Sequence, residues 1–369
     1  MILFHVLCLA FSVVCAAENR PHIIFIMADD VASRRVASAK LLHSRASCPD
    51  APMCLRRLHR HHREADQFKK IYEGKNSEVF RVFSYKGDSV LKVQQLDRTP
   101  ESLDRVLSKI KITSRLTELR KMQDYSTAGF VELRSITCLF DAYPEELLLA
   151  RKSDAGSTVQ ERRQGQAQQA YIAWHMSYAG VPLDQIELDS ALQLWSILQQ
   201  VTLSLVVAEK ALEFEHRALR IGHVLVKRTN ERSLHFSVGG RSFVVNTSGV
   251  EAHVTGYASA RITDGGSPVF TVLEGFPDDS SDHNLLCVNR HMSGIIRNDW
   301  HYFHPLTNLL WVRHLTRELY RRYKPKFRGV AARYEGLAWS EIGSWREQLL
   351  DYCSLGDFVE AHFRADPLR

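Results

Sequence analysis

The chain is poor in cysteine, with seven in 369 residues. Cys8 and Cys15 fall in the leading apolar stretch, and Cys48, Cys54, Cys138, Cys287 and Cys353 show no C-x-x-C spacing. That scatter excludes a disulfide framework and gives no support to a zinc ribbon. No run of about 20 apolar residues occurs, so the linear sequence offers no transmembrane span. Charge of one sign is also lacking: 48 Lys and Arg against 42 Asp and Glu leave a net +6. Such a balance permits an acidic partner, such as a nucleotide, chromatin or an anionic membrane surface, without demanding one. What is present is ordinary globular material, 45% apolar and 24% charged, enough for one two-lobed domain with an additional amino-terminal piece.

That amino-terminal piece differs in texture from the remainder. Residues 2–14 are apolar and run into Cys15-Ala16-Ala17 before Glu18, the form of a secretory signal over residues 1–17, although the initial basic patch is missing. Then comes Pro21-His22-Ile23-Ile24-Phe25-Ile26-Met27-Ala28-Asp29-Asp30. This resembles the first strand of the arylsulfatases, where paired aspartates help hold a divalent metal. The cysteine setting that a sulfatase needs matches neither Cys48 nor Cys54. Two carboxylates do not satisfy a hard cation that takes six or more oxygens, so Asp29 and Asp30 read as a fragment without its site. Residues 18–66 are expected to be poorly ordered, and the basic run 56–63 reads as a solvated linker.

From residue 67 the pattern becomes regular. Residues 79–85 and 89–93 are β-rich and separated by Lys86-Gly87-Asp88, a hairpin signal. A helical stretch is expected over 115–122, and the polar interval 151–169 reads as a surface insertion. Leu194, Leu198, Val201, Leu205, Ala208 and Leu212 then recur at helical spacing, with Asp189 or Ser190 as the cap. Leu309, Val312, Leu315 and Leu319 repeat the pattern. The expected class is α+β: a small β-rich lobe over 67–178, then a larger helical lobe over 179–369.

Several motifs in order carry a family resemblance. Phe214-Glu215-His216-Arg217-Ala218-Leu219-Arg220-Ile221-Gly222-His223-Val224-Leu225-Val226 resembles the catalytic loop of haspin kinases, F-E-H-R-D-L-H-W-G-N-V-L-V. The segment 171–180 resembles their hinge. Val254-Thr255-Gly256-Tyr257-Ala258-Ser259-Ala260-Arg261 resembles their form of the metal-binding motif, and His304-Pro305-Leu306-Thr307-Asn308-Leu309-Leu310-Trp311 and the segment 345–363 also fit. The resemblance implies a two-lobed protein-kinase fold, nucleotide binding and serine/threonine phosphoryl transfer.

Position by position, the chemistry is depleted. Kinases use a glycine-rich loop over the phosphates, a strand lysine paired with a helix glutamate, a base aspartate, and an Asn and an Asp on magnesium. Of the loop glycines only Gly74 remains, with Tyr72 and Ser77 at the other two positions. Val79 ends the loop segment 72–79, Lys92 matches the lysine and Glu118 its partner, so the nucleotide-binding candidates are Gly74, Val79, Lys92 and Glu118. Ala218 replaces the base, His223 the metal-binding asparagine and Gly256 the metal-binding aspartate. Glu215 and Glu251 are the nearby carboxylates that would have to substitute, and both read as surface or strand side chains. Leu286 stands where the resemblance implies an aspartate that anchors the loop.

The resemblance therefore implies a pseudokinase acting as a binding module, with ATP as a possible ligand and magnesium disfavoured. An active haspin-like kinase on a histone-tail threonine, in the nucleus and with chromatin as partner, is the alternative. A secreted, fusion-derived protein is the second alternative, with Asn246 in Asn246-Thr247-Ser248 as its glycosylation candidate, and a monomer is expected throughout.

Overall fold

The computed structural model describes residues 11–14, 23–26, 65–74, 76–85, 87–96, 99–140, 147, 150, 170–272, 283–327 and 333–363. The expectations for Asp29, Asp30, Cys48, Cys54, the basic run 56–63 and the insertion 151–169 lie outside the described residues. The chain forms two compact units, residues 1–103 with 133–178, and residues 104–132 with 179–369.

In the first unit, a short antiparallel ribbon pairs β1 (Phe11–Val14) with β2 (Ile23–Ile26). The main sheet has five strands: β3 (Ala65–Gly74), β4 (Ser77–Ser84), β5 (Ser89–Gln95), β7 (Leu133–Phe140) and β8 (Ala170–Ser177), in the order β3-β4-β5-β8-β7. Burial in β4 and β5 alternates with period two, as a sheet with one covered face requires. Phe80, Val82, Leu91 and Val93 supply that face and pack with Tyr171, Ala173 and Leu147. The expected hairpin is present. Gly87 turns it at φ +107°, its N–H bonded to the Ser84 carbonyl at 3.0 Å. Arg81 braces the sheet by pairing with Asp88 and lying 3.9 Å over the Tyr178 ring.

The second unit is built on helices. The first of them, α1 (Pro100–Glu118), is longer than the sequence pattern suggested and starts earlier. Its beginning was hidden in a polar run. Thr99 Oγ1 accepts from the Ser102 N–H at 3.3 Å, and Pro100 takes the first helical position, where its missing N–H has no helical partner to lose. The helix ends at Glu118, and residues 119–120 turn out of it.

At the centre lies α2 (Ala191–Leu212), capped by Ser190 as expected. All six stripe residues are buried, and the burial extends around most of the helix. This helix is long and apolar enough to cross a membrane, but its sides are covered by the unit itself, as in a core helix. Gln193, Ser196, Gln200, Ser204 and Glu209 hydrogen-bond within the unit, while the buried Thr202 hydroxyl has no partner among the described residues. Gln200 donates to the Val250 carbonyl at 3.0 Å and accepts from the Ala252 N–H at 2.7 Å, so its amide acts as one rung of a ladder.

Around α2 pack α4 (Leu306–Tyr323), α5 (Arg333–Gln348) and α6 (Leu355–His362), while α3 (His283–Ile296) packs on α4. Leu309, Val312, Leu315 and Leu319 form the inner face of α4. Small antiparallel sheets complete the unit. One orders β13 (Val250–Val254), β10 (Val224–Arg228) and β9 (Val181–Pro182). Another orders β12 (Arg241–Asn246), β11 (Ser233–Val238) and β6 (Tyr125–Ser126); β14 (Arg261–Asp264) and β15 (Ser267–Phe270) pair as a hairpin.

Candidate functional site

The segment that follows α2 contains the catalytic-loop positions, and its backbone is held by buried charge. Glu215 and Arg217 are both fully buried and form a two-pronged pair at 3.0 and 2.8 Å. Arg217 also donates to the Trp300 and Tyr302 carbonyls at 3.0 and 3.2 Å. These bonds hold its backbone at φ +60°, which a side-chain-bearing residue adopts at a cost. Glu215 accepts further bonds from the His304 N–H and the Thr307 hydroxyl, at 2.9 and 2.7 Å. Its main chain pairs with Arg261 in both directions at 2.9 Å. Glu215 is therefore an anchor in the interior, correcting the surface or strand role expected from sequence, and it is not available to act as a base.

A second buried group stands behind the loop. Asn308 accepts from the His216 N–H and donates to Glu209 and to the Phe214 carbonyl. Burial pushes the Glu209 carboxyl up to about 7, partly offset by its bonds from Asn308 and the Gly356 N–H. In the sequence, Thr307 and Asn308 stand out only as part of the 304–311 motif. Polar residues at the start of an otherwise apolar helix were the available signal that they have buried partners. Leu286, expected in an anchoring position, is half-buried on α3; the anchors observed are Glu215, Trp300, Tyr302, Thr307 and Asn308.

The three altered positions come together. His223 donates from Nδ1 to the Ala218 carbonyl at 2.7 Å, and the Thr255 N–H donates to the His223 carbonyl at 2.9 Å. Gly256 sits at φ +89° beneath the His223 ring. A Cβ at position 256 would lie 2.6 Å from two ring carbons of His223, closer than non-bonded atoms approach. The imidazole thus occupies the space into which a side chain at 256 would extend. Each substitution accommodates the other.

His216 stacks on His223 at 5.8 Å and donates from Nε2 to the Thr255 carbonyl at 2.8 Å. Burial, with the nearby His223 charge, lowers it to about 3, so it is a neutral packing group. Phe130, Phe214 and Tyr257 close the underside through edge-to-face contacts. Glu251, the other carboxylate considered as a substitute, is held by Lys227 at 3.1 Å and His253 at 3.0 Å. Burial alone would raise it, but those two partners outweigh burial and bring it to about 2.

Gly74 pairs with Ser77 at the tip of the β3–β4 hairpin, and a Cβ there would meet the Tyr72 ring at 3.2 Å and Ser77 Oγ at 3.3 Å. Glu73 and Glu78 face each other across the same hairpin, both paired with the buried Lys70. Val79 and Lys92 are register partners in β4 and β5, each partly buried. Glu118 is the last residue of α1, half exposed and paired with Arg115. Asn246 is exposed at the end of β12, its side chain accepting from the Ser248 N–H at 2.8 Å.

A two-lobed kinase arrangement is the class that these units and this loop define, sheet-rich first and helical second. The family model described as Haspin like kinase domain matches residues 55–337, and the chain belongs to that family. It is 27% identical over 314 residues to the serine/threonine-protein kinase haspin of Mus musculus, covering 80% of this chain and 41% of the relative. The corresponding protein of Bos taurus is 28% identical over the same length, covering 80% and 39%. The haspin homolog of Drosophila melanogaster is 27% identical over 264 residues, covering 66% and 46%. The chain thus spans about two fifths of the length of these curated relatives.

The family implies ATP as ligand, and its chemistry uses magnesium on an Asn and an Asp. The residues here do not fit the metal. Gly256 offers no side-chain oxygen, and His223 presents nitrogen, with Nδ1 bound to Ala218, to a cation that prefers oxygen.

Proposed function

We propose that this chain is a pseudokinase, a haspin-like kinase fold that serves as a binding module and does not transfer phosphate at a useful rate. The observation that carries the reading is the interlock of His223 with Gly256. It supports a site remodelled as a packed unit, in which the metal-ligand positions now pack against each other. Ala218 adds a second loss, since a methyl group cannot accept the proton of a substrate hydroxyl. Loss of a general base alone costs about 10²- to 10⁴-fold. Glu215 and Glu251, the carboxylates nearest in sequence to these positions, are each held by a cation, Arg217 and Lys227 respectively.

Nucleotide binding without transfer is a separate matter, and Lys92 is the observation that favours it. In the family the matching lysine meets the α- and β-phosphates. Against it stand Glu73, Glu78 and Tyr72 at the hairpin that would cover those phosphates. The test is a thermal shift on the full chain with millimolar ATP, with and without magnesium, and with Lys92→Ala alongside. A metal-independent rise that Lys92→Ala abolishes supports a nucleotide-responsive module; no rise leaves a kinase-shaped module that works without nucleotide. Magnesium-dependent phosphorylation of a histone-tail peptide by the purified chain would overturn the proposal in favour of an active kinase.

A further inference from the structure

Away from the catalytic-loop positions, a cleft of about 670 Å³ is lined by α3, α4 and α5 of the second unit. One wall is cationic. Arg313, Arg317 and Arg321 recur every four residues along α4, which puts one guanidinium-bearing residue about every 6 Å. Arg346 of α5 faces the same cleft and lies 4.5 Å over the Tyr320 ring. The floor is apolar, with Val288 and Leu310 buried beneath it.

The charges in this cleft are unbalanced in a specific way. Its carboxylates, Glu318 and Glu347, are already engaged, by His314 at 3.5 Å and by Arg346 at 2.7 Å. Arg317 and Arg321 are exposed and have no carboxylate partner among the described residues. Arg313 donates to the Arg346 carbonyl, and with Arg317, Arg321, Lys324 and Arg346 it makes five cationic side chains bordering one cavity; burial, with Arg317 nearby, lowers the Arg313 guanidinium. A concave row of cations with an apolar floor favours an anion that carries hydrophobic groups.

We propose that this cleft is a docking site for an acidic segment of a partner protein, bound in extended form. Alternate side chains of an extended chain project about 6.5 to 7 Å apart on one face, close to the spacing of the arginine row. The other face of the segment would meet Val288 and Leu310. The apolar floor of Val288 and Leu310 suits the apolar side chains of a peptide and has nothing to offer a sugar–phosphate backbone, which is why a peptide is preferred over a nucleic acid.

The test uses the full chain and a fluorescein-labelled octapeptide of alternating glutamate and leucine, read by fluorescence anisotropy at low and moderate salt. Saturable binding that weakens with salt is expected, together with at least a tenfold rise in Kd for Arg317→Glu/Arg321→Glu. A lysine-for-glutamate peptide should not bind. Thermal midpoints of wild type and variant are compared; if the reversal lowers the midpoint, Arg317→Gln/Arg321→Gln replaces it. No saturable binding, an unchanged Kd in the variant, or displacement by a short oligo-dT at concentrations equal to or below those of unlabelled peptide would each overturn the proposal. The last result would reassign the cleft to nucleic acid.

Discussion

Restoring an aspartate at position 256 should destabilise this protein, and restoring asparagine at 223 should relieve much of that damage. The backbone at 256 has φ +89°, and a side chain there costs about 1 to 2 kcal/mol in the left-handed region. The new Cβ would also lie 2.6 Å from the His223 ring, so the imidazole must move. Overpacking of this kind costs about 1 to 3 kcal/mol. Moving the ring breaks the 2.7 Å bond to the Ala218 carbonyl, worth about 1 kcal/mol. Gly256→Asp alone should therefore cost about 3 to 6 kcal/mol, lowering the melting midpoint by about 2 to 4 °C per kcal/mol in a domain of this size. In Gly256→Asp/His223→Asn the smaller side chain vacates the space, so the double variant should be more stable than the sum of its singles by about 1 to 3 kcal/mol. Urea unfolding of the four proteins closes the cycle. Additivity within about 0.5 kcal/mol would refute the interlock.

Arg217→Ala leaves the Glu215 carboxylate buried without its cation, at a cost of about 3 to 5 kcal/mol, so this variant should unfold at markedly lower urea than wild type. Ser190→Ala removes the side-chain cap of α2 and should cost about 1 kcal/mol in the same assay. Glu209 has a folded pKa of about 7 against an ordinary 4.5, so its contribution is full below pH 4.5 and declines as pH rises to 7. Relative to wild type, Glu209→Gln should gain about 2 to 3 kcal/mol between pH 5 and 7.5, and a difference that does not vary with pH contradicts the assignment. His216 acts in the opposite sense. Held neutral down to about 3, it should make the wild type lose stability as pH falls from 6.5.

Much of the architecture was legible because period and burial agree. The apolar stripes of α2 and α4 named their buried faces, and Gly87 marked the β4–β5 hairpin. The beginning of α1 was not legible, since Glu101, Asp104 and Arg105 give no apolar period and the signal lay in the Thr99-Pro100 cap. Within the site, the family resemblance singles out Ala218, His223 and Gly256 one position at a time, as losses consistent with one another but with no sign that the side chains touch. Their contact is a fact of three-dimensional packing that no linear pattern carries. The role of Glu215 was missed for a similar reason: its partners Arg217, His304 and Thr307 are brought to it by segments up to about ninety residues away. Arg217 is the exception, two positions along the chain, but adjacent charges of opposite sign are common on surfaces and gave no sign of burial.

The most direct measurement is radiolabelled transfer from γ-labelled ATP by the purified full chain, to a histone-tail peptide and to water, with magnesium and with manganese. Ala218→Asp/His223→Asn/Gly256→Asp is assayed in parallel. A wild-type signal at the level of the no-protein blank is the predicted result. Wild-type turnover that depends on the metal and is lost in Lys92→Ala would contradict it, and would mean that other groups have taken over the work of the missing base and metal ligands.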